Sequence, residues 1–444
     1  MPFDPSTLAG SFTGEIILPG DPAYAGAANT YGGPGTPAAV LQPRTPHEVA
    51  AALAAARSQG LQVTVRGGGH NTAGVSTNRG GVVISLRNLN AVEVLNAASG
   101  AVRIGAGAVW GDVAAVLGQH GLAISSGDTR TVGVAGLTLG GGIGWMVRKF
   151  GLALDHLVGV ELVTAGGQFV RASHDENPEL FWGVRGAGAN FGVITSFDFV
   201  AKPVGKVTFA TISYPLDDVP GLLRAWRDAV RTSTEDLTTS LTLMPAFAPG
   251  MQPAGMVLAC YAGPAAKAEP HLAPLRSLGT PTAVDVKEVA YADVLEEAHP
   301  PEGMVITVRN AFFKSLSDEV VDAIAAMHSL PGMRVFQLRH MSGAVQRMPH
   351  GETAYSLRDS EIMMFVGSFL PGDTPPDEVA AQMKSWEPLA ALGQGSYMNF
   401  LHTATAEDVA AIYPPQTLRR LSRLKQQYDP ENVFSSNYNI APSG

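Results

Sequence analysis

Eight consecutive residues, Thr64-Val65-Arg66-Gly67-Gly68-Gly69-His70-Asn71, bring together the residue types that chemistry on a bound anion would need. A short apolar run, Leu61 to Val65, leads in as a strand. Three glycines then allow a tight turn that aims bare backbone N–H groups at one point, an arrangement suited to phosphate. The His70 imidazole follows at the mouth of the turn, placed to serve as a nucleophile or covalent anchor. The alternative is a structural turn with a hydrogen-bonded histidine, since Gly-rich turns are common. A second Gly-rich stretch, Ser126 to Trp145, and an arginine-led one, Arg185 to Gly192, weigh towards a ligand. A tethered nucleotide cofactor accounts for all three.

Other chemistries lack their residues. Gly140-Gly141-Gly142-Ile143-Gly144 has the look of a nicotinamide-binding fingerprint. That fingerprint should open a helix after a first strand, with an acidic residue ~20 positions on at the end of the next strand. Asp155 comes too soon and follows no strand. His174, His299, His328, His340, His350 and His402 are scattered, without the His-x-x-x-His spacing of a metal site, and no metal is expected. A Ser-His-Asp hydrolase would need a Gly-x-Ser-x-Gly elbow, which is absent.

The elements that must position these residues can be read in order. Gly14 to Leu18 reads as a strand. Thr45-Pro46-His47-Glu48 reads as a helix start, with a Thr cap, Pro in the first turn and Glu at the capping-box position. The helix should run to Ser58 and stop at Gly60, with Val49, Ala52, Leu53 and Ala56 on one face. Strands are expected at 82–86, 92–95 and 102–106, a helix at 110–119, and a hairpin at 157–172 around Ala165-Gly166-Gly167. Asn177-Pro178-Glu179 starts another helix, and Val193 to Val200 is an apolar strand. Beyond Pro203 glycine thins out. Strands at about 206–213, 238–244, 255–261, 304–312, 333–340, 360–367 and 396–401 alternate with helices at about 217–231, 264–278, 317–328 and 376–391. That pattern predicts one antiparallel sheet covered by helices on one face. Helices at 405 onward and 417–427 close the chain.

The totals agree with a large folded protein. Of 444 residues, 45% are hydrophobic and 16% charged, which gives a substantial core and excludes disorder. The net charge of −9 argues against nucleic acid or an anionic membrane as partner. No apolar run reaches the ~18 residues of a membrane span. The start, Met1-Pro2-Phe3-Asp4-Pro5, has neither a basic region nor a long apolar core, so the cytoplasm is the expected compartment. Cys260 is the only cysteine, which rules out an internal disulfide and reads as a buried thiol.

Four segments, in order, carry a resemblance. They are Arg66-Gly67-Gly68-Gly69-His70, the run Thr131 to Gly144, Arg185 to Val193, and the tail Tyr428-Asp429-Pro430-Glu431-Asn432 with Asn437-Tyr438-Asn439-Ile440. Together they resemble the berberine-bridge-enzyme-like branch of the FAD-linked oxidases, in the vanillyl-alcohol-oxidase superfamily, and most of all its bacterial nicotine-oxidase-like members. The resemblance implies an α+β, two-domain PCMH-type FAD-binding fold. Residues 1–203 and a returning tail, 405–444, would form the FAD domain, and 204–404 an antiparallel-sheet substrate domain covered by helices. It implies FAD held by one covalent link, from His70 to the flavin 8α-methyl. Many relatives add a cysteine bond, but this chain has Thr129 at the matching place. The implied cofactor set is Arg66, Gly67, Gly68, Gly69, His70, Asn71, Gly127, Thr129, Thr131, Val132, Gly133, Gly136, Gly140, Gly141, Gly144, Gly192, Val193, Tyr438 and Asn439. A small residue at the Val132 position favours reaction with dioxygen.

On the substrate side, Ser396-Tyr397-Met398-Asn399 resembles the family's Tyr-x-Asn strand, which offers Tyr397 as base and Asn399 beside it. Alternation along Gln337-Leu338-Arg339-His340 puts Gln337 and Arg339 on one face. A carboxylate base is absent at 337, and so is the lysine/glutamate pair expected of nicotine-oxidising members. Ile143 stands where many relatives have Tyr. Few charged residues on these strands favour a neutral, partly apolar substrate. The expected reaction removes a hydride from a C–H bond next to an alcohol or amine of a small organic substrate, and O2 reoxidises the flavin to give H2O2. The alternatives are an oxidative or non-redox cyclase of a natural-product pathway, and a protein that keeps flavin without turnover.

Overall fold

Thr45 caps the helix Pro46–Ser58, its hydroxyl accepting the Glu48 N–H at 3.2 Å. The capping box is half made, because the Glu48 carboxylate instead accepts the backbone N–H groups of Arg44 and Thr13, at 2.6 and 2.7 Å. Val49, Ala52, Leu53 and Ala56 face the core as the periodicity requires. In this computed structural model, which describes residues 2–248, 250–297 and 303–443, that helix leads into the strand Val63–Arg66. His299 lies outside the described residues.

Val63–Arg66 is the edge of a four-stranded sheet. It runs parallel to Val82–Ser85, which is parallel to Ala39–Gln42, and Glu15–Ile17 closes the other edge antiparallel. The glycine turn leaves from the C-terminal end of this strand. A second sheet has five antiparallel strands in the order Phe169–Ser173, Leu157–Val163, Val193–Val200, Ala101–Gly105 and Val92–Asn96. The hairpin expected at 157–172 forms one edge of it.

The third sheet has seven strands, all antiparallel. Their order is Ala283–Ala290, Lys206–Pro215, Ala254–Tyr261, Leu237–Met244, Met333–His340, Ile362–Pro371 and Met304–Phe313. Helices Val219–Arg231 and Asp318–His328 cover one face, burying Trp226, Val230, Val321 and Ile324 against Leu241, Val257, Phe336 and Leu338. Alternation turns the next residues along these strands, Thr242, Gln337, Arg339 and Phe365, to the opposite face.

Four local expectations are corrected. The stretch 396–401 is not a strand. It is an extended segment followed by the 3-10 turn Met398–Phe400, because the Asn310 side chain, rather than a neighbouring strand, satisfies its backbone. The strand Ala283–Ala290 was not foreseen: all but one of its side chains are exposed, so no alternation marks it. The helix expected at 264–278 ends at Leu272 and resumes as the 3-10 turn Pro274–Arg276, and that at 376–391 divides into Pro376–Lys384 and Glu387–Ala390. Prolines 274 and 388, which lack an N–H, stand at these breaks. Inside the second glycine stretch, Val134–Gly140 forms a short helix.

Candidate functional site

A cavity of about 580 Å³ opens between the glycine turns and the uncovered face of the seven-stranded sheet. Gly67, Gly68, Gly69, His70 and Asn71 form one wall with Gly127, Thr129, Val132, Gly133 and Gly136. Gln337, Arg339, Tyr397 and Asn399 come from the other side, and Tyr438 from the tail. A second cavity of about 500 Å³ shares Gly67 to His70 with the first and adds Arg66, Arg87 and Thr131.

The two glycine stretches touch backbone to backbone. A Cβ on Gly68 would lie 2.4 Å from the Gly133 nitrogen, and one on Gly133 2.3 Å from the Gly68 nitrogen. Gly69 has φ +74°, a left-handed conformation that other residues adopt at a cost. The Thr131 hydroxyl and the Asn439 carbonyl oxygen are buried without a partner. The unpaired Thr131 hydroxyl, backbone N–H groups and the Arg87 guanidinium beside apolar Val65, Leu86, Val132 and Leu139 fit the diphosphate and flat rings of a flavin dinucleotide. Arg66 is itself buried. It donates to the carbonyls of Ala27 and Asn29, and burial together with Arg87 pulls its guanidinium down to about 10. Its role is to hold the segment 27–30 against the turn.

His70 stacks on Tyr31, ring centroids 5.2 Å apart. Burial lowers its pKa, opposed by a backbone hydrogen bond at Thr131, so the imidazole is neutral near pH 7 with a lone pair available.

Tyr397 is buried, and its hydroxyl oxygen accepts the Gly142 N–H and the Asn399 side-chain N–H, each at 2.9 Å. Burial raises its pKa, while these two donors and the Arg339 charge pull the other way. Asn310, 1% exposed, fixes Tyr397: its oxygen accepts the Tyr397 N–H, and its amide donates to the carbonyls of Tyr397 and Phe400 at 2.9 and 2.8 Å. Arg339 forms an ion pair with Asp128 across the cavity wall, donates to the Gln337 oxygen at 2.7 Å, and lies over the Phe400 ring at 5.2 Å.

Six of the residues named from the sequence line neither cavity. Gly140 lies under Asn399, where a Cβ would meet its side-chain oxygen at 2.5 Å. Gly141 sits against the rings of Tyr355 and Tyr397, and Gly144 against the Ser126 carbonyl. Gly192 packs on Val163, Val193 is a buried strand residue, and Asn439 is a half-buried residue of the tail. These glycines let the walls close rather than touch the contents. Asp128, Asn310 and the aromatic wall of Phe247, Phe365, Phe369 and Phe400 were missed. The alternation that paired Gln337 with Arg339 also marks Phe365 and Phe369, four residues apart on one face of the next strand. Among the described residues no cluster of His, Cys, Asp and Glu could hold a metal, and no helix is long and apolar enough to cross a membrane.

A fold with this glycine cradle and this facing sheet defines a class of flavin-binding oxidoreductases. Residues 37–173 match the model of the FAD binding domain, and 396–441 that described as berberine and berberine like. The chain is 31% identical to (R)-6-hydroxynicotine oxidase of Paenarthrobacter nicotinovorans, covering 98% of each. The solved 6-hydroxy-D-nicotine oxidase of Arthrobacter nicotinovorans superposes with a TM-score of 0.87 at 30% identity, covering 98% of this chain and 99% of that one. The glucooligosaccharide oxidase of Acremonium strictum, whose FAD is 6-S-cysteinyl and 8α-N1-histidyl, gives 0.84 at 23% identity, over 97% and 98%. The chain therefore belongs to the berberine-bridge-enzyme-like FAD-linked oxidoreductases. It is an FAD-binding enzyme of the PCMH type.

Proposed function

We propose that this enzyme oxidises a small organic alcohol or amine at the carbon bearing the heteroatom, with dioxygen as electron acceptor. The observation that carries the reading is Tyr397, a buried phenol in the same cavity as His70 whose oxygen accepts two N–H donors. Gly67, Gly68 and Gly69 with Gly133, Gly136 and Thr131 would hold the FAD diphosphate, and Tyr438 and Asn71, hydrogen-bonded at 3.2 Å, would close that wall. His70 would tether the 8α-methyl. With Thr129 in the place of a cysteine and Cys260 buried elsewhere, the tether is single. Residues 1–203 and 405–444 would be the FAD-holding part, and 204–404 would present substrate.

The chemistry FAD supplies when bound is acceptance of a hydride, with the electrons passed on to dioxygen as hydrogen peroxide. The chain supplies the rest. Tyr397 takes the O–H or N–H proton of the substrate. The Gly142 N–H and the Asn399 amide stabilise the phenolate that must form before it can take that proton. Asn310 fixes the phenol's backbone, and the aromatic wall excludes water. Val132, small and at the cavity wall, leaves room for dioxygen.

The test is acid precipitation followed by a denaturing gel under ultraviolet light. The wild-type band should fluoresce and that of His70→Ala should be dark, and peroxide should appear with alcohol or amine donors. A dark wild-type band with flavin in the supernatant overturns the tether alone. No flavin in either fraction overturns the reading.

A further inference from the structure

Gln337 and Asp128, on the sheet side of the cavity, have their side-chain oxygens engaged. The Gln337 oxygen accepts from Arg339, while its amide nitrogen donates one N–H to Thr242 at 3.1 Å and keeps the other free. One Asp128 carboxylate oxygen is taken by Arg339 and the other by the Thr129 hydroxyl at 3.1 Å. Arg339 uses Nε on Gln337 and the remaining nitrogens on Asp128 and the Ile143 carbonyl, and a guanidinium has five N–H groups, so two are left. What Gln337 and Arg339 offer is hydrogen-bond donors. Its cation is neutralised by Asp128, so the wall carries no unpaired charge.

Around these donors the wall is aromatic and aliphatic. Phe365 and Phe400 lie 5.0 Å apart, Phe247 and Phe369 meet edge to face at 5.2 Å, and Ile306, Val308 and Val335 fill the floor. Such a surface stacks a flat ring. A sugar chain would leave most of its hydroxyls unpaired there, and an ionic substrate would be desolvated against an already compensated pair.

Building on the oxidase reading above, we propose that the substrate is a neutral arene. It carries its oxidisable alcohol or amine carbon on one side and a hydrogen-bond acceptor, such as a carbonyl, on the other for Gln337 and Arg339. Asp128 is then a specificity residue: it sets the charge the site accepts by neutralising Arg339.

The experiment uses the purified flavin-loaded enzyme and a series on one benzyl alcohol scaffold, para-substituted with acetyl, carboxylate, aminomethyl or ethyl, with cellobiose beside it. Affinity is read from the perturbation of the oxidised flavin spectrum, and turnover from anaerobic bleaching. The acetyl compound should bind about tenfold or more tighter than the carboxylate, the ammonium or the ethyl compound. Asp128→Asn should raise affinity for the carboxylate by about tenfold, since Arg339 is then uncompensated. Gln337→Leu should shrink the difference between acetyl and ethyl, with Arg339 keeping the remainder. Flavin content of each variant reports whether it is folded. Tighter binding of the carboxylate, the ammonium or cellobiose by the wild type overturns the proposal. So does silence of the acetyl compound with a flavin that dithionite still bleaches. Protein that carries no flavin overturns the oxidase reading itself, and this proposal with it.

Discussion

A phenol oxygen that accepts two N–H groups is better disposed to carry charge than one that donates to a carbonyl. At Tyr397 the Gly142 N–H and the Asn399 amide supply those donors. Burial opposes them and prevails, so the phenol titrates above its ordinary 10. If its anion takes the substrate proton, flavin reduction by an alcohol should rise about tenfold per pH unit up to that pKa. Stopped-flow reduction between pH 6 and 10 measures this. Tyr397→Phe should flatten the profile and lower the rate by about 10²–10⁴. Asn399→Ala, which removes one donor, should push the pKa higher and leave the slope. A flat wild-type profile would remove Tyr397 from the role.

At the scale of the element, the turn 397–400 is held by one side chain from another strand. Asn310→Ala would strip partners from the buried Tyr397 N–H and the Phe400 carbonyl, and would leave the Tyr397 carbonyl only the Phe400 N–H. An unpaired buried polar group costs about 1–3 kcal/mol, so a loss of about 3 kcal/mol or more in a urea melt is expected. The rate of flavin reduction should also fall in protein that still holds flavin. The same contact explains a limit of the sequence. The partner of Tyr397 lies 87 residues away, so nothing in Ser396 to Phe400 tells a strand from a turn. The glycine turn, the helix Pro46–Ser58 and the seven-strand pattern were legible because their causes are local: a cap, a turn, an alternation. The helix Val134–Gly140 was hidden because glycine at 133, 136 and 140 argues against helix, and close packing overrides it. Gly144 makes the point most sharply. A Cβ there would sit 1.4 Å from the Ser126 oxygen, so Gly144→Ala should yield no soluble, flavin-loaded protein on expression.

Over the whole molecule, one apolar core spans both parts while a second lies within the seven-stranded part. The core of the first two sheets also takes in Phe312, Met341, Tyr355 and Leu401. A perturbation on either side should therefore be felt in one transition. Two histidines test this, one near each core. His156, its Nδ1 bonded to the Val200 carbonyl, is pushed down to about 4 by burial, with Lys202 adding to the shift and Asp155 opposing it. His340 is pushed down to about 3 by burial and by Arg148 and Arg231, against Glu361. Both are neutral in the folded protein at pH 5, whereas in the unfolded chain both are protonated below about 6.5. The unfolded state thus binds the extra protons, and stability is lost as pH falls from 6.5. Each site should cost about 2 kcal/mol by pH 5, from about 1.4 kcal/mol per pH unit. The carboxylates whose pKa is lowered, Asp198, Asp408 and Glu361 among them, act only below about 4.5 and do not enter this window. Urea melts at pH 7.5 and 5 should therefore differ by about 4 kcal/mol or more in the wild type, in a single transition. In His340→Gln the difference should shrink by about 2 kcal/mol. An unchanged difference in that variant would mean that the protons go elsewhere, and two separate transitions would mean that the core spanning both parts does not couple them.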